Sequence, residues 1–532
     1  MKRNISALAS FVLLIFVLSC GPKIETKTYS PKVEKGKYIL TPKAKAAPQI
    51  NGPAVFGVTP NAPFLYTIPA TGNRPMKFSV EQLPKGLSIN EATGVISGQI
   101  MDRKLGDHKV VLVAENAKGI SKKEFNIIVG NTICLTPPLG WNSWNCWGAL
   151  VTQKNVIASA EAMVEKGLIN YGWTYVNIDD AWQSHRGGKH HAILSDAVKF
   201  PNMEEMCTQI HDMGLKVGIY SSPWVTTYAG YIGGSSDNEK GLWDQSMNDK
   251  GNKKQKGKRR FTRVAKFTFD TNDANQWAEW GIDYLKYDWN PNEPASTLRM
   301  AKALRASGRD IIYSLSNTAP LENAALFGKE VNCFRTYGDL KDRWDGKGIH
   351  KSIRDEWVEH REWMEKGFPG APGHFPDPDM LVVGDVNTKG GLHPSRLTAD
   401  EQYSHVALWS LWAAPMLIGC PIETMDDFTL SLLTNAEVLD INQDVKAIPG
   451  KTIFHDETME IVVKELADGS KAVGLFNLKS EVSEIRLDWD KIGVSGVKTL
   501  RDVWRQKDIG NYENSFTAQV PSHGVVLIKI KA

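Results

Sequence analysis

A (β/α)8 barrel (TIM barrel) flanked by two antiparallel β-sandwiches is the fold class this sequence predicts, and three observations carry the prediction. Between about residues 137 and 440, short apolar runs alternate with longer segments of helical character. From 48 to 129, short runs of alternating polarity are separated by Gly, Pro and Asn, the pattern of antiparallel strands. Past residue 442 the same pattern returns, and a chain of 532 residues has room for all three units.

The chain opens with Lys2 and Arg3 ahead of an apolar run from 5 to 18, followed by Ser19 and Cys20. That run is shorter than the roughly 20 residues of a spanning helix and reads as an export signal. The small residue before Cys20 resembles a bacterial lipobox. It implies that residues 1–20 are a lipoprotein signal peptide and that Cys20 carries a lipid, giving an exported, membrane-anchored protein, periplasmic or at the cell surface. Residues 21–47 are rich in Lys, Pro and Thr and are expected to form a flexible tether.

Residues 48–130 are the first predicted sandwich. Within them Leu83-Pro-Lys-Gly-Leu-Ser-Ile89 and Thr93-Gly-Val-Ile-Ser-Gly98 resemble the immunoglobulin-like (Ig-like) domains found on bacterial extracellular enzymes. The barrel is expected over 131–441, with strands at 139–144, 175–180, 216–221, 284–288, 311–316, 331–335, 378–382 and 413–418. The connection from 222 to 273 is unusually long, and its basic run at 250–260 reads as a solvated loop. Residues 442–532 form the second predicted sandwich.

Composition narrows the partners. With 63 Lys and Arg against 60 Asp and Glu, the net charge of +3 creates no field that would draw nucleic acid, so an uncharged or small ligand is expected. The 17 Trp residues suit the apolar faces of sugar rings as well as a protein core. Five cysteines besides Cys20, namely Cys134, Cys146, Cys207, Cys333 and Cys420, give no readable disulfide framework. His190 and His191 are adjacent rather than spaced on one helix face, so no metal site is expected from them.

The candidate chemistry lies at the predicted strand ends. Asp179, Asp180, Asp288, Ser316, Arg335 and Asp339 recur at or just past the C-terminal ends of strands, which in a parallel barrel face one mouth. A carboxylate there is costly to desolvate, so its recurrence indicates function. In Tyr284-Leu-Lys-Tyr-Asp-Trp-Asn290, Lys286 and Asp288 alternate onto one side of a strand. An ammonium beside the carboxylate is expected to keep Asp288 ionised, as a nucleophile requires.

Over roughly residues 134–530 the chain resembles glycoside hydrolase family 27, the alpha-galactosidases and their relatives. The matching motifs are Pro138-Leu-Gly-Trp-Asn-Ser-Trp144, Val176-Asn-Ile-Asp-Asp-Ala-Trp182, Gly214-Leu-Lys-Val-Gly-Ile-Tyr220, Tyr284 to Asn290, Cys333-Phe-Arg335 with Asp339, and Asp377-Pro-Asp-Met-Leu381. The resemblance implies a cofactor-free retaining exo-glycosidase acting on an oligosaccharide or polysaccharide with a terminal alpha-linked galactose. Asp288 would be the nucleophile and Asp339 the general acid/base, with a pKa expected to be raised by the neighbouring charge. Asp342 and Asp345 are rivals for that second role. The resemblance further implies a pocket built from Trp141, Asp179, Asp180, Tyr220, Lys286, Arg335 and Asp379. Where typical alpha-galactosidases carry a Glu, this chain has Ser316, with Ala319 three residues on. That pair resembles the N-acetylgalactosaminidase branch, and the family also includes isomalto-dextranase and beta-L-arabinopyranosidase members. The alternative outside catalysis is a sugar-binding protein that keeps the pocket without turnover.

Overall fold

A computed structural model describes residues 24–32, 36–101, 105–248, 261–346, 351–388 and 390–532. The export signal and Cys20 lie outside the described residues, as does the whole basic run at 250–260. Among the described residues, no helix is long and apolar enough to cross a membrane.

Eight parallel strands form the central barrel: β1 Leu139–Asn142, β2 Tyr175–Asn177, β3 Lys216–Ser221, β4 Tyr284–Asp288, β5 Ile312–Ser316, β6 Cys333–Arg335, β7 Phe375–Asp377 and β8 Met416–Ile418. Their order is β7-β6-β5-β4-β3-β2-β1-β8. The ring closes where Leu381 pairs with Ile418, its N–H donating to Leu417 O at 2.8 Å. This corrects the seventh strand. The apolar run 378–382 supplies the closing bridge, while the strand itself lies upstream at Phe375–Asp377.

Helices cover the barrel and are started by their own sequence. Thr152 and Thr398 each close a capping box at the head of Gln153–Glu165 and Ala399–Leu411, satisfying N–H groups that have no partner within the helix. Almost every residue of Ala399–Leu411 is buried. A helix buried on nearly all sides needs cover on all sides, and this one lies between the barrel and the terminal sandwich, whose Phe476 and Leu527 join the barrel's own core.

The Ig-like unit pairs a four-stranded sheet (Val55–Val58, Gly119–Val129, Gly106–Asn116, Lys77–Glu81) with a three-stranded one (Phe64–Thr67, Val95–Gly98, Leu87–Ile89). Between them lies a separate core that includes Phe64, Phe78, Ile96, Leu112 and Phe125. The terminal sandwich sets a six-stranded sheet against the pair Ser483–Asp488 and Ser515–Val520.

The expected tether differs in the structure. Residues 24–32 and 36–47 pack along the body, with Ile24 and Tyr29 bridging to Asn511 and Ala518. Tyr29 Oη donates to Asp502 at 2.6 Å, and Tyr38 is buried with its ring 5.6 Å from that of Tyr403. Two tyrosines spaced along a polar segment are enough to give it apolar area to bury.

Candidate active site

The mouth at the C-terminal ends of the strands holds a pocket of about 130 Å³ lined by Trp144, Asn145, Asp179, Asp180, Tyr220, Tyr228, Lys286, Asp288, Ser316, Asn317, Arg335, Asp339, Asp379 and Met380. On β4, Leu285 and Tyr287 point outward into the helix-packed core, which turns Lys286 and Asp288 inward. Asn292 ties two strand ends together, its amide donating to Trp289 O at 2.6 Å and to Ser316 O at 3.2 Å.

Asp288 sits deep in this pocket, 8 % exposed. Tyr220 Oη donates to its Oδ2 at 3.0 Å and the Asn317 amide donates to its Oδ1. Burial lifts its pKa to about 6, Asp339 adding to the rise and Lys286 opposing it. The ammonium of Lys286 bonds a different carboxylate, Asp179 Oδ2, at 2.8 Å. Against the cost of burial, Asp179 and Asp288 together lift Lys286 to about 12, so it remains a cation. The expected lysine–nucleophile contact is therefore replaced by an indirect one.

Asp339 stands at the rim with its side chain 62 % exposed, 3.1 Å from the guanidinium of Arg335. Burial against the pocket wall works to raise it, but Arg335, Lys341 and Lys286 outweigh that and hold Asp339 below its usual value. This reverses the expected direction, and the reason is the arginine four residues earlier. Arg335 also lies 3.4 Å from Asp379 and donates to Ser316 Oγ at 3.1 Å. Asp379 takes a left-handed backbone, φ 78°, uncommon for a residue other than glycine. That turn lets its N–H donate to Asp377 and its Oδ2 accept from Leu340 N, both at 2.8 Å.

The rivals lie elsewhere. Asp342 is fully buried and held by Arg396, Thr388 and His393, outside the pocket. Asp345 is exposed and does not line it. His190 bonds Glu279 at 2.6 Å, and among the described residues no His, Cys, Asp and Glu cluster could hold a metal.

The sequence profile of the alpha galactosidase A family matches residues 136–241 and 238–444. The chain belongs to glycoside hydrolase family 27. It is a glycoside hydrolase, and profiles for the alpha galactosidase C-terminal beta sandwich domain and for an Ig domain match 456–530 and 47–130. An alpha-galactosidase of Coffea arabica is 32% identical over 404 residues, covering 74% of this chain and 94% of that protein. Alpha-galactosidase 2 of Arabidopsis thaliana is 31% identical, covering 75% and 90%. A solved Bacteroides fragilis structure, provisionally named an alpha-galactosidase, superimposes with a TM-score of 0.79 at 31% identity over 92% of this chain and 98% of that one.

Two residues implied by the family resemblance fall outside the hydrolase's pocket. Trp141 is a fully buried β1 residue whose Nε1 donates to Cys420 O at 2.9 Å. Trp144, just past the strand end, lines the pocket in its place. Ala319 is buried behind the wall, its N–H donating to Arg335 O at 2.7 Å. Asn317 was not anticipated. Its φ of 68° turns it back toward Asp288, and an Asn directly after a strand is the available signal, since Asn tolerates that backbone better than most residues.

Proposed function

We propose that this hydrolase removes terminal alpha-D-galactosyl residues by double displacement, with Asp288 as nucleophile and Asp339 as general acid/base. The observation that carries this reading is that both carboxyls line one pocket and differ in setting, one deep and the other at the rim. With a pKa of about 6, Asp288 is mostly ionised at neutral pH and able to attack an anomeric carbon. Asp339 reaches solvent where a leaving group would exit. A bound sugar would strip water from it and so favour the protonated form that donates to the glycosidic oxygen. Formation of the covalent intermediate removes the charge on Asp288, which favours Asp339 as the base that activates water.

Asp179, Asp180 and Asp379 supply acceptors for sugar hydroxyls, while Lys286 and Arg335 balance their charge. The galactoside is supported by the roughly 30% identical alpha-galactosidases above. A second reading, an N-acetylgalactosaminide substrate, rests on Ser316, whose small side chain leaves space in the wall.

Asp288→Asn is the test. It should lower kcat by roughly six orders of magnitude, the scale of losing a nucleophile, while galactose binding persists. Hydrolysis at the parental rate would sink the assignment. Rates on aryl alpha-galactoside, alpha-N-acetylgalactosaminide, beta-L-arabinopyranoside and isomaltosyl substrates separate the sugars. We also propose lipid attachment at Cys20, supported by the signal sequence; Cys20→Ser should end incorporation of labelled fatty acid.

A further inference from the structure

The long connection after β3 folds one hairpin back into the pocket. Thr226 and Ile232 bridge antiparallel, and Thr227 N donates to Tyr231 O at 2.8 Å. Inside this turn Thr227 Oγ1 accepts from Tyr231 N at 3.0 Å and donates to Asp180 Oδ1 at 2.9 Å. Ala229 N donates to Asp180 Oδ2 at 2.8 Å. Tyr228, at the tip, lines the same pocket as Asp288, its ring packed edge-on at 5.0 Å against buried Trp224.

A carboxylate offers about four lone-pair sites. On Asp180, Oδ1 already accepts from Thr227 and from Ala181 N at 2.8 Å, and Oδ2 accepts from Ala229 N. Among the described residues, one site, on Oδ2, is left for a ligand. A carboxylate needed only for the fold gains nothing by facing a pocket with a site open.

We propose that the hairpin 226–232 determines sugar specificity. Thr227 and Ala229 fix Asp180 so that it accepts one sugar hydroxyl from one direction, and Tyr228 walls that side of the pocket. Thr227 is then a positioning residue acting through Asp180. The inference rests on the glycosidase reading above and deepens it.

The experiment measures kcat and KM for Thr227→Val, Thr227→Ser and Tyr228→Ala on the best-cleaved of the four glycosides, with Asp288→Asn and thermal melts in parallel. Thr227→Val should raise KM about tenfold, the scale of one hydrogen bond to a charged group, with kcat nearly unchanged, as for interactions shared by ground and transition states. Thr227→Ser keeps the hydroxyl and should stay near the parent. Tyr228→Ala should narrow the kcat/KM preference for the best sugar over the next by about fivefold or more, within the range of one lost pocket contact. A parental KM in Thr227→Val, or an equal rise in Thr227→Ser, overturns the proposal. An active Asp288→Asn variant overturns the glycosidase assignment instead.

Discussion

The two ends of the barrel solve opposite electrostatic problems. At the bottom, Asp283 accepts from Arg309 at 2.6 Å, from His211 at 2.9 Å and from Val217 N at 3.0 Å. Against the cost of burial, Arg309, His211 and Lys216 hold it at about 2. At the mouth, Asp179, Asp180, Asp288, Asp339 and Asp379 share one pocket with two cations, Lys286 and Arg335. There burial lifts Asp180 to about 7 and Asp288 to about 6. Equal burial thus gives opposite shifts: cations of its own outweigh burial at Asp283, whereas neighbouring carboxylates add to the rise of Asp180 and Asp288. An end whose charges are balanced serves stability. An end with surplus carboxylates carries a standing cost that only chemistry or binding explains.

That contrast predicts opposite phenotypes. The largest effect is the loss of turnover in Asp288→Asn, without loss of fold. Next is Asp283→Asn, which leaves Arg309 without its carboxylate. Breaking a buried pair costs about 3–5 kcal/mol, so denaturant melts should show that loss while kcat/KM of the folded fraction is unchanged. Should Asp283→Asn also slow catalysis at the mouth, the two ends are coupled and the separation drawn here is wrong.

Much of this architecture could be read from the sequence, and its gaps follow from the same physics. Strand positions at the mouth were legible because polar side chains interrupt apolar runs, as in β4. The seventh strand was misplaced because the most apolar stretch near it, 380–383, lies past the strand and is buried by the closing bridge at Leu381. Trp141 and Trp144 are equally apolar, and only the strand end at Asn142 decides that the second faces the mouth. The direction of Asp339 depends on a side-chain rotamer of Arg335, which no linear pattern encodes. The packing of 24–32 and 36–47 is hidden by their composition, since a few scattered side chains, Tyr29 and Tyr38 foremost, carry the contacts of a largely polar stretch.

The mouth's surplus charge gives a pH-dependent test. An unfolded Asp releases its proton near 3.8, whereas folded Asp288 keeps it until about 6. Between those values the unfolded state binds fewer protons, so this group's contribution to stability falls as pH rises. Replacing it with Asn removes that loss. Tyr220 can turn its hydroxyl to accept from the new amide, so the substitution fits the site. At pH 8 the Asp288→Asn variant should be more stable than the parent by about 3 kcal/mol, from a shift of roughly two units, and the gain should vanish by pH 4. A gain that is flat with pH would mean the carboxylate is not the source.

The smallest effect tests what seals the bottom. The Ig-like unit sits against the N-terminal end of the barrel across a cavity of about 110 Å³. Thr67 Oγ1 donates to Gly214 O at 2.6 Å, and Phe56 faces the Lys216 ammonium at 4.8 Å. Thr59 grips Asp310 twice, through its N–H at 2.9 Å and through its hydroxyl. Thr59→Val keeps the shape and the backbone bond but removes the hydroxyl donor. The expected cost is about 1 kcal/mol, the usual net value of one hydrogen bond. It is limited because Asp310 still has Lys216 and Arg309 near it. If the unit is part of the barrel's cooperative fold, the whole melt should move down together. If it is merely appended, a separate early transition should appear while the barrel's own transition stays in place. The second result would show that the balanced charges of the bottom are stable without their cover.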